Sequence, residues 1–399
     1  NTALFTFAAL QKEVQHDAVF KIDHIFNERN TVYARIAWGS QDTNCDRVNG
    51  GAPWLPGGDC VVNTVRRPRN YAFNWRWNPV ASVTNEFVVG RNNFFFNFFY
   101  PTTDLSKVSL EGPVLIPETF VWGNKRELTT WQFVDNLAWF RGRHSLKLGV
   151  NFRLASHIDT RGSVAGFNVG QVANFSTGIN TVDPATFGIP VDINTQFDRP
   201  AFQSHINFLL GRVGSITRAF VAEGGSFVNK PYDFDARFHE YDAYVQDTWK
   251  VRRNVTVDAG LRWEAKLAPS SSPDGRILAP NQLVTAGAAP TSTLRWAPGK
   301  LYGDDWNNFA PSLGMVWDPR GDGKSSVRAN YRIAFDRINT FLFSSAVFQS
   351  LPGQTFGESN TAFGQGGGRL TNMPTLTPPR QNPGELAQPA SFGTGLITV

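Results

Sequence analysis

Six histidines, His16, His24, His144, His157, His205 and His239, are the first candidates for catalysis or metal binding. None stands four residues from another with a glutamate between them, the helical spacing that presents two imidazoles to one zinc ion. His239-Glu240 is an adjacent pair and reads as a strand end. Gly321-Asp322-Gly323-Lys324-Ser325 has the ending of a phosphate loop, but Asp318 stands where the first glycine is required and no helix follows. It reads as a tight turn. Asp318 and Asp322 lack the twelve-residue pattern and closing glutamate of a calcium loop. No Gly-x-Ser-x-Gly elbow occurs. The expectation is no catalytic residue, no metal site, no cofactor and no enzymatic activity.

Cys45 and Cys60 are the only cysteines, set in a segment rich in Gly, Pro and Asn. Two thiolates holding a metal would need further Cys or His ligands nearby, and there are none. A disulfide stapling a surface loop in an oxidising compartment is the plainer reading, with two free thiols as the alternative.

Such loops need elements to carry them, and the composition says which kind. The 399 residues include 33 Phe, 12 Trp, 8 Tyr, 36 Gly and 24 Pro, against 2 Met. That mixture suits β-structure with many turns. No run approaches the ~18–20 apolar residues of a spanning helix, and the mean hydropathy is −0.27. The net charge of +5 is dispersed along the chain rather than gathered into the basic stripe of a nucleic-acid binder, so no nucleic-acid partner is expected. The chain opens at Asn1 without a charged-then-apolar leader, which reads as a mature or trimmed protein.

The main signal is alternation. Tyr241, Ala243, Val245 and Trp249 share one parity, and after a polar turn the alternation resumes with Val255, Val257, Ala259, Leu261, Trp263 and Ala265 facing one way. Asp242, Gln246, Asp258, Arg262 and Glu264 occupy the opposite faces. Such period-two patterning marks antiparallel strands with one apolar face. Hairpins are expected near 20–38, 71–91, 129–154, 239–267 and 308–336, which makes ten strands. Turns inside hairpins are short, whereas the connections between them, roughly 39–69, 92–128, 155–238 and 268–307, are long.

A transmembrane β-barrel alternates in this way, with short periplasmic turns and long extracellular loops. The fold class expected is therefore all-β, an antiparallel transmembrane barrel. Lys147, Arg153, Asp242, Asp258, Arg262, Glu264, Arg328 and Arg332 are expected to face a hydrated lumen. Trp38, Trp139, Trp249, Trp263 and Trp317 are expected in the interfacial aromatic girdle. A large soluble β-sandwich, whose apolar parity would be its core, is the competing architecture.

One register can be argued from charge. Pairing Trp249 with Val255 sets Asp242 opposite Arg262 and lays Tyr244 over Gly260, while a slip of one pleat sets Asp242 against Glu264. Like charges directly opposite are destabilising, so the first register is expected. Phe94–Tyr100 reads as an interfacial cluster where a strand leaves the bilayer, with a ligand-binding patch as the alternative. Ala201–Gly211 is the one short-helix candidate, an anchor in the longest loop with Phe202, Ile206, Phe208, Leu209 and Leu210 on one broad side. Gly364–Gly368 and the Pro-rich stretch 374–389 read as extended or mobile.

The segments Phe20–Trp38, Trp131–Arg153, Asn207–Gly211, Tyr244–Lys250, Gly260–Glu264 and Asn308–Gly314 resemble, in the same order, the barrel of Oar-like TonB-dependent receptors of Gram-negative outer membranes. The resemblance runs from about residue 18 to 340. It implies a 22-stranded barrel, a plug domain and uptake or export driven by the TonB complex. No plug, TonB box or terminal aromatic strand is found in this chain, which reads as an internal piece of a longer protein. Residues 1–340 are then the N-terminal and middle part of the barrel, and 341–399 a loop-rich Gly/Pro segment before the barrel continues.

Three functions compete: a TonB-dependent receptor or transporter whose extracellular loops capture a substrate, an outer-membrane scaffold or adhesion barrel binding a partner protein or glycan, and a secreted glycan-binding β-protein. Outer-membrane lipid and lipopolysaccharide are the partners implied by the first two.

Overall fold

The computed structural model describes residues 6–53, 56–99, 104–113, 123–164, 166–175, 183–188, 198–271, 278–280, 296–298, 303–337, 339–340 and 355–380. Ten strands follow one another across one antiparallel sheet: β1 (Lys12–Asn27), β2 (Asn30–Asn44), β3 (Asn63–Val80), β4 (Val83–Phe99), β5 (Asn124–Arg141), β6 (His144–Arg161), β7 (Tyr232–Arg252), β8 (Val255–Lys266), β9 (Asn308–Trp317) and β10 (Val327–Arg332). Each pairs with the next, and Ser270–Ser271 adds a short extra pairing on β7. Among the described residues, β1 and β10 are the free edges of this sheet.

The strands overrun the alternating segments seen in the sequence. β1 to β7 are 15 to 21 residues long, so strand pairing continues well past the apolar pattern into the long connections. The turn after β3 is at Ala81-Ser82 rather than at Asn78-Pro79, because β3 continues through Pro79 with a register irregularity between Trp77 and Val80. Neighbouring turns are clipped together, with Phe140 donating to the Ser82 carbonyl and Asp318 to that of Asn254.

Alternation gives the sheet two chemically distinct faces. On one, Leu137, Leu148, Val245 and Leu261 form a row across four strands. This face is bare: Leu261 is 44% exposed, Leu313 58%, Ile36 46% and Phe73 40%. An apolar sheet face of this extent, left uncovered, does not suit water. Asp135 is an exception there, taking a 2.6 Å hydrogen bond from Asn85. On the other face, Lys147, Gln246, Gly260, Ser312 and Arg332 form one row across β6 to β10.

The register of β7 and β8 differs from the charge argument. Asp242 lies opposite Glu264, Tyr244 opposite Arg262, and Gln246 opposite Gly260. The slip is one pleat, set by a two-residue turn (Arg253-Asn254) with a bulge between Lys250 and Arg252. The like-charge pair survives because Arg262 reaches both carboxylates, as detailed below. Tyr244 does cover a strand glycine, but on its other neighbour. It pairs with Gly149 of β6, and its hydroxyl donates to Asn136 Oδ1 of β5 at 2.8 Å. A Cβ on Gly149 would meet the Tyr244 ring at 2.5 Å and the Asp135 carbonyl oxygen at 2.9 Å. Gly149→Val is therefore expected to destabilise the sheet by about 1–3 kcal/mol through overpacking, read as a lower urea midpoint in detergent. An unchanged midpoint would show that the ring is free to move aside.

Residues 94–99 lie within β4 instead of marking a strand's exit, and Tyr100 is outside the described residues. The pleat splits the run: on the polar face Phe94 stacks on Phe96, Phe98 meets Phe96 edge to face, and the guanidinium carbons of Arg66 and Arg126 sit 5.2 and 5.8 Å from the Phe96 ring. A second, five-stranded sheet is built from the long connections: Val108–Glu111, Gln171–Asn174, Ser215–Glu223, Ser226–Val228 and Thr355–Asn360. Two apolar cores hold it. One joins Val164, Val169, Ala219 and Val221 to Ala155 of β6 and Tyr232, Phe234, Ala236 and Phe238 of β7. The other gathers Phe175, Val213, Ile216, Phe220, Phe227 and Leu376.

Helix α1 (Asp198–Leu209) lies against the second core through Phe208, whose ring is 5.1 Å from that of Phe175. Its buried residues are Gln203 and Asn207, while Leu209 is 77% exposed, so the expected apolar side is only partly used. Gly364–Gly368 is folded, not extended. Its first residues end the short helix Ala362–Gln365, and Gly364 sits so close to the Gly214 backbone that a Cβ would approach that carbonyl oxygen to 2.1 Å. The stretch 374–380 passes along Gln171, which bonds to Pro374 and Leu376, and 381–389 lies outside the described residues.

Candidate functional site

The polar face carries a continuous network at the centre of β5 to β8. Gln132 donates to Asn151 at 2.8 Å, and Asn151 donates to Asp242 at 2.9 Å. Arg262 donates to Asp242 from Nη2 at 3.0 Å and lies 2.6 Å from Glu264 through Nε. Lys266 holds the other Glu264 oxygen. One guanidinium thus bridges both members of the like-charge pair, whose side chains are under a tenth exposed, and Lys266 supplies the second positive charge. Nearby, Glu240 accepts from Arg153 at 2.9 Å and from Arg337 at 2.9 Å.

All eight polar residues expected to share a face do so by register, each on the parity of Asp242. Asp258 accepts from Thr248, and Arg328 donates to Ser326 at 3.2 Å. Lys147, Arg262, Glu264, Asp258 and Arg332 line a concave recess of about 810 Å³ whose floor includes Gly260, Ser312 and Gly314. Arg337, outside the alternating pattern, carried no signal in the sequence.

The five tryptophans expected in a girdle lie on the apolar face. Trp139, Trp249 and Trp317 are near the short turns, and Trp38 and Trp263 toward the long connections. Trp131 and Trp139, both on β5, are eight residues apart, or about 27 Å along the strand and about 20 Å once tilted, close to the apolar height of an outer-membrane barrel. Trp306 was missed because no alternation surrounds it. It stacks on Trp263 at 6.1 Å and on Tyr241 at 6.4 Å, and its carbonyl accepts from Trp263 Nε1 at 2.8 Å.

Cys45 and Cys60 form a disulfide closing a loop at the end of β2. Inside that loop Asp46 caps the turn Arg47–Asn49, accepting from the Val48 and Asn49 amides, Asn49 Nδ2 and Thr64 Oγ1. Burial raises the Asp46 carboxyl, but these hydrogen bonds outweigh it and hold the group below the ordinary aspartate value of 3.8. A carboxyl depressed in the folded state stabilises above its unfolded value and loses that contribution as pH falls through the folded value. The capped turn of residues 46–51 is therefore expected to open, by hydrogen exchange, as pH falls below 3.8. Asp46→Asn should flatten that dependence, and an unchanged pH profile in the variant would refute the assignment. Among the described residues, no group of three or more His, Cys, Asp or Glu could hold a metal ion.

A meander with one apolar and one charged face and aromatic bands has the build of an outer-membrane β-barrel wall. The chain belongs to the outer membrane beta barrel domain family, whose model matches residues 1–398, and its place is the outer membrane. No curated protein matches the sequence. Among solved structures, the outer membrane transporter YddB from Escherichia coli is similar at 12% identity over 81% of this chain and 32% of that chain, with a TM-score of 0.45. The siderophore receptor PirA from Acinetobacter baumannii aligns at 14% identity over 83% and 35%, with a TM-score of 0.40. The ferripyoverdine receptor of Pseudomonas aeruginosa aligns at 10% identity over 81% and 35%, with a TM-score of 0.41. The chain spans about a third of the length of each of these three.

Proposed function

We propose that this chain is part of the wall of a TonB-dependent receptor of the Oar-like type, in which the apolar face meets lipid, the charged face lines a hydrated lumen, and the folded long connections form an extracellular capture surface. The observation that carries the reading is the chemistry of the two faces: Leu261 and Leu313 stand bare, while Glu264 and Asp242 are buried in a hydrogen-bonded network on the opposite side. Charged groups in such numbers facing hydrocarbon would be prohibitive, whereas facing water they are ordinary. Among the described residues β1 and β10 are unpaired edges, and a lipid-embedded sheet must close, so the reading includes further strands. The sequence resemblance supports closure to 22 strands. Arg69 and Arg91 are diagonal neighbours on the outward face beside Trp38 and Trp131, at the end nearer the long connections. They suit the phosphates of lipopolysaccharide.

The protein is expected to stay in the membrane pellet after alkaline carbonate washing and to show heat-modifiable mobility in SDS gels. Solubility without detergent would overturn the barrel reading. A plug domain and TonB box upstream in the complete reading frame would support transport, and their absence there would favour a scaffold.

A further inference from the structure

Arg218 lies in the middle of the loop sheet and is 8% exposed. Its Nε donates to the Val169 carbonyl at 3.3 Å, Nη1 to that of Leu376 at 3.4 Å, and Nη2 to that of Leu105 at 3.1 Å and to Asn229 Oδ1. All four acceptors are neutral. Glu358 faces Arg218 across the ladder, yet makes no ion pair with it among the described contacts. Burial alone pushes the guanidinium below its ordinary value, with no carboxylate pulling it back. A buried cation without a counter-charge is costly, and its neighbours compensate only through carbonyl dipoles.

Arg218 also lines a cavity of about 400 Å³, together with Leu105, Ser106, Val108, Gln171, Asn229 and Thr375. That volume is within the range of small-ligand pockets, and the lining mixes apolar wall with a few convergent polar groups. Gln171 is itself buried and held by Pro374 and Leu376, so one wall of the cavity is fixed.

We propose that this cavity is a binding site for a small oxyanion, a carboxylate or phosphate group, with Arg218 supplying the charge and Asn229 and Ser106 the flanking polar contacts. Four of the five guanidinium N–H groups are held by these acceptors, which leaves one Nη1 hydrogen for a ligand oxygen, and a ligand bringing the missing negative charge relieves the uncompensated cation. The inference rests on the reading of these loops as the capture surface and adds the class of ligand that surface takes.

The test is isothermal titration of the detergent-solubilised full chain with citrate and, separately, inorganic phosphate at constant ionic strength. Saturable one-site binding of at least one anion is expected. Arg218→Lys, which keeps the charge but loses the carbonyl clasp that fixes it at the cavity, should weaken it tenfold or more, and Glu358→Gln should tighten it. Ser106→Glu, at the cavity and outside the carbonyl clasp, should abolish binding and serves if Arg218→Lys fails to show heat-modifiable mobility. No saturable binding of either anion, or binding unchanged in folded Arg218→Lys or Ser106→Glu, would overturn the site. Binding by the purified chain with no anion uptake by cells would keep the site and count against transport alone.

Discussion

Leu261→Arg is expected to destabilise the folded protein by about 2–4 kcal/mol, the cost of an arginine facing the middle of the hydrocarbon layer. Leu261 belongs to the row with Leu137, Leu148 and Val245 and has no protein cover beyond its strand neighbours. The control is Asn330→Arg on the opposite face, in the row of Gly314 and Asp258, where a cation meets water and an acidic neighbour. Its effect should stay within about 0.5 kcal/mol. Both are read from urea unfolding in lipid vesicles. Equal losses in the two variants would mean that the faces meet the same solvent, and the assignment of lipid and lumen would fall.

Arg262→Met is expected to cost about 2–3 kcal/mol, by leaving Asp242 and Glu264 opposed with only Lys266 and Asn151 to compensate. The value is placed below that of a fully buried pair because the Arg262 side chain is 47% exposed. Glu264→Gln in the same background should recover at least about half of the loss, since it removes the repulsion that Arg262 relieves. Additive losses in the double variant would show that Arg262 acts by packing rather than by neutralising the pair.

Alternation was legible because it is local. Each residue of a strand points opposite to the next, so Val257, Leu261 and Trp263 declare one face and Asp258, Arg262 and Glu264 the other without reference to any partner strand. The hairpins near 20–38, 129–154 and 239–267 follow from the same signal, and all their turns lie where the polar residues cluster. The loop domain had no such signal. Its strands are short, and its pairings join Val108–Glu111 to Gln171–Asn174 and Ser215–Glu223 to Thr355–Asn360, segments far apart in the chain.

What the amino-acid sequence determined by itself was the two-faced sheet, its short turns and the cysteine pair, because each depends on neighbours in the chain. Register needed the assembled sheet. A slip of two residues preserves every face assignment, so hydrophobicity is blind to it, and the charge rule erred because one arginine can serve two carboxylates. The tight Arg253-Asn254 turn, with its bulge between Lys250 and Arg252, set the pairing instead. The buried Arg218 likewise looks like an ordinary strand arginine until Leu105, Val169 and Leu376 close around it. Burial comes from segments that only tertiary folding brings together.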